Sequence, residues 1–172
     1  MAFSPAMLQS LDHAIVAVRD LTAAASTYSA LLGRSPSWRG EHPGLGTNNV
    51  LYRLDNTYLA LLSPQPESPS AEGLRTQLGK KGEGLLGLAF GTGNADLCRA
   101  SLVERGLHPA APRKGTARDL DSGVVREFRS VLLPSDESRG VLVFAIQHLS
   151  PRELLPPAPR AASAASAVTG VD

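Results

Sequence analysis

"LDHAIVAVRDLTAAASTYSALLG", residues 11–33, passes from a short β-branched apolar run into a helical pattern. Leu11 to Val18 is too brief for a helix before Asp20 interrupts it, so it reads as a strand. Asp20 suits a helix N-cap, Leu21, Ala25, Tyr28 and Leu32 then fall on one helical face, and Gly33 supplies a stop. The strand carries one histidine, His13. In such a strand a histidine is either a hydrogen-bonded core residue or a metal ligand, and only the rest of the chain can decide.

Working outward, the turn-rich "GEHPGLGT" leads to two strands, "NNVLYRL" and "TYLALLS", joined by a tight turn at Asp55-Asn56. "SPQPESPS" is a proline-broken loop, and Ala71 to Leu78 suits a short helix. Then the pattern restarts. "GLLGLAF" reads as a buried strand, Asn94 caps a helix running to Arg105, and "VVREFRSVLLP" and "GVLVFAIQHLS" are further strands. The charged run "RKGTARD", between that helix and the two strands, reads as a solvated loop. Strand, helix and about three strands therefore occur twice, over about residues 8–82 and 83–150. The expected fold class is α+β, with two βαβββ modules forming one half-open, eight-stranded barrel-like shell over residues 1–150. Residues 151–172, with "PPAPRAASAASA", read as a Pro/Ala-rich linker or tail without a core-forming pattern. The final "VTGVD" resembles "LQSLD" before His13, so the tail is also read as the approach to a further domain.

Composition narrows the functional classes. The chain has 172 residues and a net charge of +1, with seventeen basic residues set against sixteen acidic ones. Neither nucleic acid nor a membrane surface is an expected partner on that balance. Aromatic residues make up only 5%, which argues against a base-stacking platform. Cys98 is the single cysteine, so no intrachain disulfide can form and a cytoplasmic location is expected. No apolar stretch approaches the roughly 20 residues needed to span a bilayer.

The paired modules and the opening "LDHAIVAVRDLTAAASTYSALLG" resemble the vicinal oxygen chelate superfamily, which includes glyoxalase, bleomycin-binding proteins and extradiol dioxygenases. "HPGLGTNN" followed by "YLALL" is similar to its glyoxalase-like domain branch. The resemblance covers about residues 8–150. It implies a divalent metal inside the shell, held by histidines or glutamines and glutamates from the first and last strands of the modules, with open positions that chelate substrate oxygens. His13 matches the first-strand ligand. Ala60 stands where a glutamate usually precedes "LL", Gly87 stands where the second histidine would be, and Gln147 occupies the last-strand glutamate position. Two side chains, His13 and Gln147, are a poor cage for a metal that usually takes about three protein ligands. No cofactor is therefore expected, and His13 reads as a pocket-lining remnant of a metal position.

Other polar candidates fall on or beside the expected strands. Pro43 forces His42 into an extended backbone, and the loop either aims its side chain at the pocket mouth or is a surface turn with ordinary capping polars. Arg39, Asn49, Tyr58 and Arg126 each project either into the concavity or away from it, and Tyr58 shares its face with Ala60. With His13, His42 and Gln147 they form the expected ligand-binding set. The function these readings imply is a glyoxalase-like protein that binds a small organic, partly aromatic molecule in its concave pocket. The alternative is a metal-dependent lyase, isomerase or extradiol-type oxygenase. Its ligands would be completed by a partner chain in a homodimer or by a missing C-terminal domain.

Overall fold

The computed structural model describes residues 7–157 together with Ala165 and Ala167. The first half runs β1 (Ser10–Ala17), α1 (Leu21–Leu32), β2 (Trp38–His42), β3 (Thr47–Arg53) and β4 (Tyr58–Pro64). After the connecting helix α2 (Glu72–Lys81) come β5 (Gly84–Gly91), α3 (Ala95–Glu104), β6 (Arg113–Asp119), β7 (Val125–Leu132) and β8 (Leu142–His148). The order βαβββ thus occurs twice. The eight strands close in the order β1-β4-β3-β2-β6-β7-β8-β5. The seam between β2 and β6 is the thinnest part, paired only at Gly40–Asp119 and Glu41–Arg118.

The local signals act as expected at the helix starts. The Asp20 carboxylate accepts from the Ala23 N–H at 2.9 Å, and the Asn94 side chain accepts from Asp96 and Leu97 at 3.0 Å each. Each satisfies donors that the first helical turn leaves without a partner. Both helices lie outside the barrel. α1 packs on Val50, Tyr52 and Leu61, and the Tyr52 hydroxyl donates to Ala25 O at 2.7 Å. α3 buries Ala95, Cys98 and Leu102 against Val131 and Ala145. With the outer faces of the strands covered by helices, the alternate residues are left to line the interior. Among the described residues no helix is long and apolar enough to cross a membrane.

Two expectations are corrected. "RKGTARD" is not a loop but strand β6, which joins the two halves. Its charges sit mostly on exposed positions, while Ala117 and Asp119 are buried, so the period of two is carried by small and polar residues. The fold also continues past Ser150. Leu155 is 4% exposed and belongs to the inner apolar cluster, and the Arg53 guanidinium donates to the carbonyls of Arg152 and Leu155. The linker expected from residue 151 therefore begins with a docked segment. Of the remaining tail, Ala165 donates its N–H to Leu32 O at 3.0 Å. "VTGVD" lies outside the described residues.

Candidate functional site

The inner faces of the strands enclose a cavity of about 690 Å³. Its wall is mostly apolar, built from residues such as Ile15, Leu51, Leu62, Phe128, Leu142 and Phe144. Ala60, 6% exposed, faces it where a carboxylate would have made it polar. Polar side chains interrupt that wall, among them the more exposed Arg113, Lys114 and Glu127 of β6 and β7. His13, Asn49 and Tyr58 come from β1, β3 and β4, His42 from the end of β2, Arg126 from β7 and His148 from the end of β8.

His13 owes its setting to an irregularity in β1. Leu11 pairs with Phe90 and His13 with Ala89, so Asp12 is an extra residue in that strand, a β-bulge. The Thr57 hydroxyl pins the bulge by donating to Asp12 O at 2.8 Å. The bulge brings the Asp12 side chain beside its neighbour: Oδ1 lies 2.6 Å from His13 Nδ1 and Oδ2 lies 2.9 Å from His148 Nε2. One carboxylate therefore bridges the two histidines. Burial opposes its ionisation, but the hydrogen bonds and charges of His13 and His148 hold it well below the usual carboxylate range. Burial likewise lowers the His13 pKa, against the pull of Asp12. A neutral His13 donates from Nδ1 to Asp12 and keeps a bare lone pair on Nε2. Its ring stacks on Tyr58 at 4.3 Å and meets the edge of Phe144 at 5.7 Å. Burial, reinforced by the charge of Asp12, pushes the Tyr58 phenol well above its ordinary pKa.

A second cluster sits at the end of β2. His42 Nδ1 lies 3.1 Å from Thr47 Oγ1, Nε2 lies 3.2 Å from Asn49 Nδ2, and the ring meets Phe128 edge-on at 6.1 Å. Burial pushes the His42 pKa down to about 4, with repulsion from His13 and Arg126 adding to it. Next to this cluster the Arg126 guanidinium lies over the Trp38 ring, 5.3 Å from its centroid.

The structure thus brings His13, His42, Asn49, Tyr58 and Arg126 to one cavity, and it leaves two of the sequence candidates out. Arg39 follows the inward Trp38 on β2, so it points out of the barrel and is exposed. Gln147 also faces away: its Oε1 accepts from the Ala95 N–H at 3.0 Å, capping α3. The inward residue at the end of β8 is its neighbour His148. Sequence reasoning missed Asp12, whose role depends on a bulge, and His148, whose inward direction depends on strand pairing.

These placements bear on the metal that the fold family implies. Ala60 offers no donor, Gln147 is turned away, and the two Asp12 oxygens face separate imidazoles. At Gly87 an added Cβ would stand 2.3 Å from the backbone oxygen of Leu142, so no side chain fits there while β8 keeps its place. Among the described residues no three His, Cys, Asp or Glu side chains converge on a point that could hold a metal ion. The donor set does not fit a vicinal oxygen chelate metal.

The family model of the glyoxalase-like domain matches residues 11–172. Among solved structures, a methylmalonyl-CoA epimerase variant from Streptomyces coelicolor, in complex with 2-nitronate-propionyl-CoA, is 26% identical with a TM-score of 0.66. The match covers 83% of this chain and 99% of that one. Methylmalonyl-CoA epimerase from Mycobacterium tuberculosis is 22% identical over 92% of this chain and 94% of its own, also with a TM-score of 0.66. A hypothetical protein from Bacillus halodurans C-125 is 21% identical over 83% and 96%, with a TM-score of 0.68. No curated protein sequence matches the chain.

Proposed function

Because the chain belongs to the glyoxalase-like domain family, we propose that its barrel binds a small organic molecule in the concave cavity without a resident metal. The observation that carries this reading is the cavity itself. At about 690 Å³ it is of the size that takes small ligands, and it combines an apolar wall with a few convergent polar groups. The Streptomyces coelicolor relative was solved with an organic thioester, 2-nitronate-propionyl-CoA, which supports an organic ligand for this fold. In this chain Ala60 extends the apolar wall, and the aromatic rings of Tyr58, Phe128 and Phe144 favour a ligand that is itself partly aromatic.

The test uses N-phenyl-1-naphthylamine, a neutral apolar probe whose fluorescence rises on burial. One probe should bind per chain. Ala60→Glu should weaken that binding about tenfold or more, because it places an unpaired carboxylate against the ligand. Unchanged affinity in the variant, or no binding to the parent, would refute the reading.

The Asp12–His13 pair favours a second reading, that of an enzyme that moves a proton. Asp12 fixes the tautomer and orientation of His13, and the bare Nε2 has the form of a general base. His148 shares the same carboxylate through its Nε2, but it is the more exposed of the two imidazoles. The bulge that builds this pair would then be a catalytic feature as well as a structural one.

A further inference from the structure

Among the described residues the cavity holds a buried cation with no carboxylate paired to it. Arg126 reaches inward from β7 and is 9% exposed. Among the described residues no carboxylate comes within 4.0 Å of its guanidinium. Glu127, its neighbour in sequence, is turned toward Lys114 at 2.7 Å. Directly across β6 the paired residue is Ala117. His13 and His42 face Arg126 as further nitrogen groups, and each feels its charge as repulsion.

A buried lysine in this position could lose its proton, but a guanidinium cannot. The Trp38 face offers some compensation. The site is built for that contact: an added Cβ at Gly40 would come 2.2 Å from Trp38 Nε1, so glycine there lets the ring lie where it does. Stacking does not replace a counter-charge, though, and an unpaired buried charge is strongly unfavourable. What would satisfy Arg126 is a ligand that brings one negative charge. A planar carboxylate matches the guanidinium fork with two parallel hydrogen bonds. The Tyr58 phenol, close enough for Arg126 to act on it, is a neutral donor for the same oxygens.

We propose that the ligand of this cavity is a monocarboxylate with an apolar body, its carboxylate seated on Arg126 and its body against Phe128, Phe144 and Leu142. The assignment rests on the small-molecule reading above and names the class of molecule. Arg113 and Lys114 also line the cavity, but both are exposed and Lys114 is held by Glu127 at 2.7 Å, so Arg126 is its buried cation and that buried seat suits one negative charge.

Isothermal titration at pH 7.5 with octanoate and 3-phenylpropionate, beside octanamide and 3-phenylpropionamide, tests the assignment. The carboxylates should bind the parent chain about tenfold or more tighter than their amides, since the charge-assisted bidentate pair is lost in the amide. In Arg126→Gln that preference should vanish. The parent's own carboxylate-to-amide ratio decides the matter if the variant does not fold. Equal binding of acid and amide overturns the carboxylate assignment and leaves the small-molecule reading standing. Binding of neither overturns both. Octyl phosphate binding more tightly than octanoate overturns the single-charge assignment.

Discussion

β1 and β5 lie side by side and antiparallel, and each opens a strand-helix unit that starts on a side-chain cap, Asp20 in one and Asn94 in the other. Their inward chemistry differs completely. β1 carries a bulge that sets Asp12 beside His13, whereas β5 carries Gly87 pressed against the backbone of β8. The first unit supplies His13, His42, Asn49 and Tyr58 to the cavity. The second supplies Phe128, Leu142, Phe144 and Ile146 to the apolar wall, Arg126 buried among the strands, His148 at the strand end, and the more exposed Arg113, Lys114 and Glu127 on its β6–β7 side. The repeated pattern of caps and apolar faces builds the barrel twice over, while the chemistry resides in a few inward positions that the repeat does not constrain.

The largest test of that contrast is Gly87→His, which would restore the family's second histidine by residue type. Its Cβ would overlap the Leu142 oxygen, and overpacking against backbone should cost about 3 kcal/mol in urea denaturation. A variant as stable as the parent would show that the second unit can accept a metal ligand after all. Next comes truncation after Pro151. It removes Leu155 from the inner cluster and two acceptors from Arg53, a loss of about 2 to 4 kcal/mol. Leu155→Ala should reproduce most of it, and a truncated chain with the parent's melting temperature would break the link between this segment and the core.

A smaller effect follows from pH, and it should come from the first unit. His42 titrates near 6.5 when unfolded and at about 4 when folded, so between those values the unfolded chain binds more protons. Stability is then present at pH 7 and is lost as the pH falls toward 4. His13, lowered by burial, acts with the same sign. Asp12 works in the same sense but at lower pH, because a depressed carboxylate loses its contribution only below its unfolded value. From pH 7 to pH 5 the loss due to His42 should be about 1 to 2 kcal/mol, seen as a melting temperature several degrees lower. His42→Phe should flatten part of that slope. An unchanged slope would mean that His42 is solvated.

Much of the architecture was legible because it rests on local rules: Asp20 and Asn94 as caps, the Asp55-Asn56 turn, and apolar strands long enough to recognise. β6 was not, since its inward positions are filled by Gly115, Ala117 and Asp119 and its strand state comes from pairing with β2 and β7. The site was legible only in part. Residue type singled out Arg39 and Arg126 equally, and strand parity, fixed by the neighbours, sent one outward and the other into the cavity. Asp12 needed a bulge, and matching a motif at Gln147 placed the inward side chain one residue too early. Reading the register from β7–β8 pairing would have selected His148.

Whether the cavity takes an organic ligand without metal is decided by assaying metal and ligand on the same preparation. The chain, purified without a metal-binding tag and without chelator, is assayed for nickel, zinc, iron and manganese while N-phenyl-1-naphthylamine is titrated in. One probe should bind per chain with well under one equivalent of any metal present, and with the same affinity after dialysis against EDTA. Stoichiometric metal retained by the parent and lost in His13→Ala, with probe binding lost on chelation, would contradict it.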